Sequence, residues 1–144
     1  MADFHRHSSW GRTRRPKNLT GNTSTGEATV GKVGGNFTDA PTVITDGHPT
    51  ENQRFLHLLI IDAARAANGI GIKVWGWNHA FQSWGLLTDV NGNAVEIASS
   101  GTTGVLKIFE INGVDRVYFQ SATVSGANDN FLNADEFYAA CSTF

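Results

Sequence analysis

Three of the chain's four tryptophans, Trp75, Trp77 and Trp84, crowd into VWGWNHAFQSWG, residues 74–85. Aromatic rings at this density can stack on sugars, fill the centre of a subunit contact, or pack inside a small β domain. If the stretch is a hairpin, period-two alternation puts Lys73, Trp75, Trp77, Gln82, Trp84 and Leu86 on one face. A four-residue loop at residues 78–81 then sets Trp77 opposite Gln82 and Trp75 opposite Trp84. Gln82 and Asn78 offer amides for sugar hydroxyls, yet no carboxylate shares the tryptophan face. The other face carries only Gly76, Ser83 and Gly85 toward the tip, so something can approach the backbone closely there. Trp75, Trp77, Gln82 and Trp84 are therefore candidate partner-binding or packing residues, and core, subunit contact and sugar platform all stay open.

The other reactive side chains form no familiar catalytic set. The chain has five histidines (His5, His7, His48, His57 and His79) but no G-x-S-x-G, H-E-x-x-H or P-loop pattern. Cys141 is the single cysteine, which excludes an internal disulfide framework and a multi-cysteine zinc site. It reads as a small packing residue. His57 alternates with Phe55 and Leu59 and reads as a core or interface histidine. DVNGNAVE opens like a calcium loop at Asp89, Asn91 and Asn93, then puts Ala94 where the glycine belongs and Ser100 where the bidentate Glu belongs. A turn between strands is the better account. The acidic group Asp129, Asp135 and Glu136 reads as solvated surface, and His5-Arg6-His7 has arginines beside it that oppose cation binding. The expectation is a protein that is not an enzyme, with no catalytic or metal residues and no cofactor.

A second signal is electrostatic. The formal net charge is only −2, but the first 18 residues set Arg6, Arg12, Arg14, Arg15 and Lys17 against Asp3 alone. The same stretch lacks a sustained apolar period and is rich in Gly, Ser, Thr and Asn. Residues 1–26 thus read as an extended basic arm, and residues 27–144 as one folded domain. Phe4, Arg6, Trp10, Arg12, Arg14, Arg15 and Lys17 are its candidate partner-binding residues. Such an arm can dock on protein, contact phosphates with strong salt dependence, or remain a passive tail. Docking on protein is the favoured reading, and nucleic acid is an unlikely partner.

The elements that position these residues read as β. ATVGKV, PTVIT, RFLHLLIID, GIGIKVWGW, QSWGLL, AVEIA, GVLKIFEI and DRVYFQSAT are short runs rich in β-branched and aromatic residues. Asp46-Gly47, Asn68-Gly69, Asn91-Gly92 and Asn112-Gly113 are turn signals between them. RFLHLLIID is apolar on both sides, which predicts a central strand covered on both faces. DAARAANG suggests a turn or two of helix, and NADEFYAACSTF fits a short helix or a last strand. The fold class expected is all-β, an antiparallel sandwich, jelly-roll-like, preceded by the extended N-terminal arm. No apolar run reaches the ~20 residues of a membrane span, and the polar start has no signal-peptide h-region. Neither a membrane nor secretion by signal peptide is expected.

VWGW, then QSWGLLTDVNG, then GVDRVYFQ resemble the strands of small β-sandwich structural proteins in tailed-bacteriophage virions. That resemblance implies a capsid decoration (cement) protein, or a head–tail or tail accessory, assembled in the host cytoplasm and located in the virion. It implies the major capsid protein or other virion proteins as partners, a possible homo-oligomer, and no catalytic residues. Two rivals are a carbohydrate- or receptor-binding sandwich module and a small nucleic-acid-packaging jelly-roll coat protein. On the cement reading, deleting residues 2–18 leaves the domain folded and greatly weakens attachment. Particle co-sedimentation measures this, and attachment like the wild type's would remove the arm from the mechanism.

Overall fold

The computed structural model describes residues 40–61, 70–99, 104–124 and 136–143. The basic arm with Phe4, Arg6, Trp10, Arg12, Arg14, Arg15 and Lys17 lies outside those residues. So do the expected strand at 28–33, the Ala-rich segment 62–69 and the His5-Arg6-His7 cluster.

FLHLLII sets up the first sheet. Its alternation becomes β2 (Phe55–Ile61), with Leu56, Leu58 and Ile60 fully buried on one side. β6 (Val105–Glu110) and β8 (Glu136–Ser142) flank β2, both antiparallel, in a three-stranded sheet. The C-terminal run therefore ends as a strand rather than a helix. Phe137, Ala139 and Cys141 supply its buried alternation.

The second sheet is built on β3 (Ile70–Asn78), the longest strand. β7 (Arg116–Ser121) pairs along one side of it, and β1 (His48–Pro49) pairs with β7. The other side is shared. β4 (Ser83–Leu86) takes the Trp75–Asn78 half, and β5 (Glu96–Ser99) takes the Ile70–Lys73 half. Every pairing among the described residues is antiparallel, and together they make an all-β sandwich of two sheets. The chain changes sheet at β1–β2, β2–β3, β5–β6, β6–β7 and β7–β8, so the two sheets are stitched together along the sequence.

The core lies between them. Leu56, Leu58, Ile60, Phe109 and Phe137 of one sheet meet Ile72, Val74, Ile97, Val117 and Phe119 of the other. The Phe119 and Phe137 rings cross the gap edge to face, 5.2 Å between centroids at 71°. Polar stitches close the ends: Thr50 Oγ1 donates to the Val114 carbonyl at 2.6 Å, and Arg54 forms an ion pair with Glu110. Two of the expected turn glycines take the left-handed conformation; Gly47, after the turn at Asp46, is extended at φ −102°, and Gly69 lies outside the described residues. Gly92 and Gly113 take left-handed φ of 86° and 71°, which follow Asn91 and Asn112 and suit a residue without Cβ.

Two expectations fail here. PTVIT is not a strand; it bends into a 3-10 turn at Ile44–Asp46. The cause is the Asp46 carboxylate, which accepts the backbone N–H groups of Thr42 at 2.7 Å and Val43 at 3.0 Å. A side chain thereby takes donors that a β ladder would have used. β2, in turn, is covered fully on one face only. Its outer residues Phe55, His57, Leu59 and Ile61 are half-buried, because no third layer lies over them among the described residues.

Phe119→Ala is expected to cost about 3–5 kcal/mol, since the ring is fully buried between the sheets. Phe81→Ala, at a residue 81% exposed, is expected to stay within about 0.5 kcal/mol of wild type. Urea denaturation measures both, and similar costs for the two would mean that the sandwich core is misplaced.

Candidate functional sites

The tryptophan hairpin forms, with its register moved by one residue on each arm. Trp77 stands opposite Trp84, Asn78 opposite Ser83, and Trp75 opposite Leu86. The expected pairs Trp77–Gln82 and Trp75–Trp84 are therefore corrected. The loop keeps four residues but runs over 79–82, and Gln82 sits in it at φ 51°, outside the strand. Asn78 explains the shift. Its Oδ1 accepts the Phe81 N–H at 3.1 Å, while its Nδ2 donates to the Gly113 carbonyl at 3.0 Å. A strand-end Asn thus supplies the bonds of the turn and also ties it to the β6–β7 connection. Gln82 Nε2 adds a bond to the His79 carbonyl at 2.8 Å, and the His79 N–H donates to Asp115 Oδ2 at 2.7 Å.

The tryptophan side chains lie on the outer face of the larger sheet, away from the inter-sheet core. Leu87 N–H donates to the Val74 carbonyl at 2.9 Å, so the narrow, non-hydrogen-bonded sites of the ladder fall at Trp77–Trp84 and Trp75–Leu86. Trp77 and Trp84 meet edge to face at 5.6 Å, and Trp84 meets Tyr118 of β7 at 6.2 Å. The Trp84 ring reaches across β3 and meets the strap of residues 43–47. Its Nε1 donates to the Val43 carbonyl at 3.1 Å. Gly47 packs so tightly on it that an added Cβ would overlap the ring. Arg116 Nη2 fixes the same strap through the Gly47 carbonyl at 2.5 Å. Trp75 is half-buried and gives its Nε1 to Gln120 Oε1 at 2.7 Å. Trp77 is 9% exposed, and its buried Nε1 has no acceptor among the described residues. These rings are engaged with one another and with the strap, an arrangement of packing rather than an open stacking platform.

The opposite face of the same hairpin is open. Gly76, Ser83 and Gly85 form the floor of a groove of about 390 Å³. Leu87 and Val114 close one end, Phe81 stands over it from the loop, and Asn112-Gly113 form the far wall. A Cβ built on Gly85 would meet nothing within 4 Å. No described residue lining the groove is charged.

A second exposed surface is the outer face of β6–β2–β8. Rows across it read Ile108–His57–Ala140 and Leu106–Leu59–Tyr138. Leu106 is 62% and Ile108 55% exposed, and a shallow pocket of about 150 Å³ lies among His57, Leu59, Leu106, Tyr138 and Ala140. His57 shares a 2.6 Å hydrogen bond with Ser142 Oγ, which fixes its ring on the sheet surface.

The remaining candidates have structural places. Asp89 spends its carboxylate on its own turn, accepting the N–H groups of Asn91 and Asn93 at 2.9 Å each. The Asn93 backbone N–H, foremost, holds the carboxyl below its usual pKa, and the Asn93 amide and Asn91 N–H act in the same direction. Cys141 is fully buried in the core. The 43–47 strap, the groove and the exposed sheet face were not singled out in the sequence as sites. Only the groove had a signal there, the run of small residues at Gly76, Ser83 and Gly85.

Trp84→Phe is expected to cost more than Trp77→Phe. The first removes a made hydrogen bond, about 0.5–1.5 kcal/mol, and loosens the strap as well. The second deletes a buried N–H that has no acceptor among the described residues, which offsets the lost ring area and leaves a change of about 1 kcal/mol or less. Thermal or urea melts of the two variants settle the order, and the reverse order would contradict the strap's dependence on Trp84.

Searches against family models, curated proteins and solved structures find no match to this chain.

Proposed function

We propose that this protein is a non-enzymatic structural protein of a tailed-phage virion, a capsid decoration protein that adheres to the shell through its β domain and basic arm. The observation that carries the reading is the outer face of β6–β2–β8. Leu106 and Ile108 are exposed side by side on a sheet whose centre is Leu59 and His57. Contiguous apolar surface of this kind is characteristic of protein contact sites. The face is neutral across its middle rows, and its charged pair, Arg54–Glu110, sits at one end. That is the anatomy of an apolar centre with a polar rim. The resemblance of VWGW, QSWGLLTDVNG and GVDRVYFQ to virion sandwich proteins supplies the assembly in which the face would be used.

The mechanism is adhesion by burial. Each exposed aliphatic side chain covered on docking contributes about 1.5–3 kcal/mol, less the cost of holding the partners together. The arm adds further contacts to the shell, so the domain and the arm reinforce each other as linked weak sites.

The test is co-sedimentation of the purified full chain with undecorated tailed-phage heads. Saturable pelleting is expected. The double variant Leu106→Glu/Ile108→Glu, which changes only exposed side chains, is expected to lower it by at least tenfold, about 1.4 kcal/mol. Pelleting that is absent, or that the double variant leaves unchanged, would refute the reading.

A further inference from the structure

We infer that the groove on the glycine face of the β3–β4 hairpin binds a neutral saccharide unit. This site is separate from the adhesive sheet face, and the inference does not depend on the capsid reading.

Four observations converge. First, the floor at Gly85 is bare backbone, with open space where a Cβ would stand; Ser83 adds only a small side chain, and Gly76 lies under Leu87 and Val114, which bound the groove at that end. A sugar ring is a flat body about as wide as a β-strand pair, and it fits against such a floor without displacing side chains. Second, Phe81 stands at the rim, 81% exposed, with a ring face available for the C–H face of a pyranose. An aromatic ring left in water at a groove mouth gains by being covered. Third, the polar groups at the groove are amides, hydroxyls and backbone. Asn112 and Thr88 are exposed at its margin. They donate and accept in the way that vicinal hydroxyls require. Fourth, no described residue that lines it is charged. A phosphate, carboxylate or ammonium taken into it would lose hydration with no counter-charge in return.

The groove is also held open in advance. Asn78 bonds both Phe81 N–H and the Gly113 carbonyl, so one side chain sets the distance between the two walls. His79 N–H on Asp115 anchors the loop a second time. A site whose walls are fixed before binding loses little order on binding, which allows small neutral ligands to bind measurably. The rim is mixed: Phe81 supplies an aromatic ring, and Asn112, Thr88 and Ser83 supply the polar groups that a sugar's hydroxyls require.

The experiment is an amide chemical-shift titration of the full chain with lactose, maltotriose and chitotriose, with 3′-sialyllactose as the charged comparator. Neutral sugars are expected to move the Ser83, Gly85 and Gly113 amides with a Kd of about 1 mM or tighter for at least one of them. Gly85→Val grows from a Cβ that meets nothing within 4 Å and fills the open floor, so a folded spectrum is expected while binding falls at least about tenfold. Phe81→Ala is expected to weaken binding as well. No shift at these amides with any neutral sugar overturns the inference. So do shifts that Gly85→Val leaves intact, or a preference for the sialylated ligand. Shifts of the same amides with protein concentration alone would assign the groove to a second copy of the chain instead.

Discussion

Trp77 opposite Trp84 is the contact on which the rest of the hairpin depends. In a β ladder the side-chain period is two, so register decides which residues share a face and which partner each one meets. Placing the two indoles at a narrow, non-hydrogen-bonded site brings their rings edge to face. From that pairing the other features follow. The loop must span residues 79–82, which leaves Asn78 at the strand end, within reach of Phe81 and Gly113. Trp84 must project across β3 toward Tyr118, where Gly47 and the Val43 carbonyl receive it. Gly76, Ser83 and Gly85 must then face the other way, where Gly76 lies under Leu87 and Val114 and Gly85 leaves the floor of the groove bare.

The two sheets solve the problem of their outer faces differently. The larger sheet covers its own with aromatic rings and a strap, so Tyr118 is fully buried although it points away from the inter-sheet core. The strap can lie there because Asp46 folds its backbone into a turn, and because Gly47 has no side chain to keep it off the Trp84 ring. The smaller sheet has no such cover among the described residues and leaves Leu106 and Ile108 in solvent. Its edge is guarded all the same. Lys107 points to the inner side of β6, and its Nζ reaches the Glu96 carbonyl at 3.3 Å. An inward lysine on an edge strand discourages pairing with another strand. Contact at this sheet is thereby steered to its face and away from its edge.

Sequence patterning carried the fold class and most of the strand faces, because both rest on period-two alternation. Leu106 and Ile108 fall on the side opposite Phe109 and Ile111, as VLKIFEI indicates, and Val117 and Phe119 point inward as DRVYFQ indicates. What the pattern could not carry was set by single side-chain hydrogen bonds. Residues 41–45 have β-rich composition, yet the Asp46 carboxylate outcompetes a ladder for two of their N–H groups. The hairpin loop has the expected length, yet Asn78 moves it by one residue. RFLHLLIID is apolar on both sides, and composition alone does not say whether a layer exists to cover the second. The strap was illegible for the same kind of reason: nothing local in residues 43–47 announces Trp84, which lies some forty residues away in sequence.

The Trp–Gly alternation at 75–77 and the Trp–Gly pair at 84–85 then have one physical meaning. Each large ring on the outer face is next to a residue with no side chain on the inner face. Had both faces been large, the second sheet would have had to extend over the hairpin tip, and the groove would have been core. Had both been small, Trp84 could not span from β4 to the strap, and residues 43–47 would lose the acceptor–donor contact that holds them. The hairpin is instead anchored from its tryptophan side and through Asn78 at its tip; on its glycine side Gly76 packs under Leu87 and Val114, and Gly85 is left open. A face relieved of packing, yet fixed in position by contacts elsewhere, is the condition under which a rigid surface becomes available for recognition.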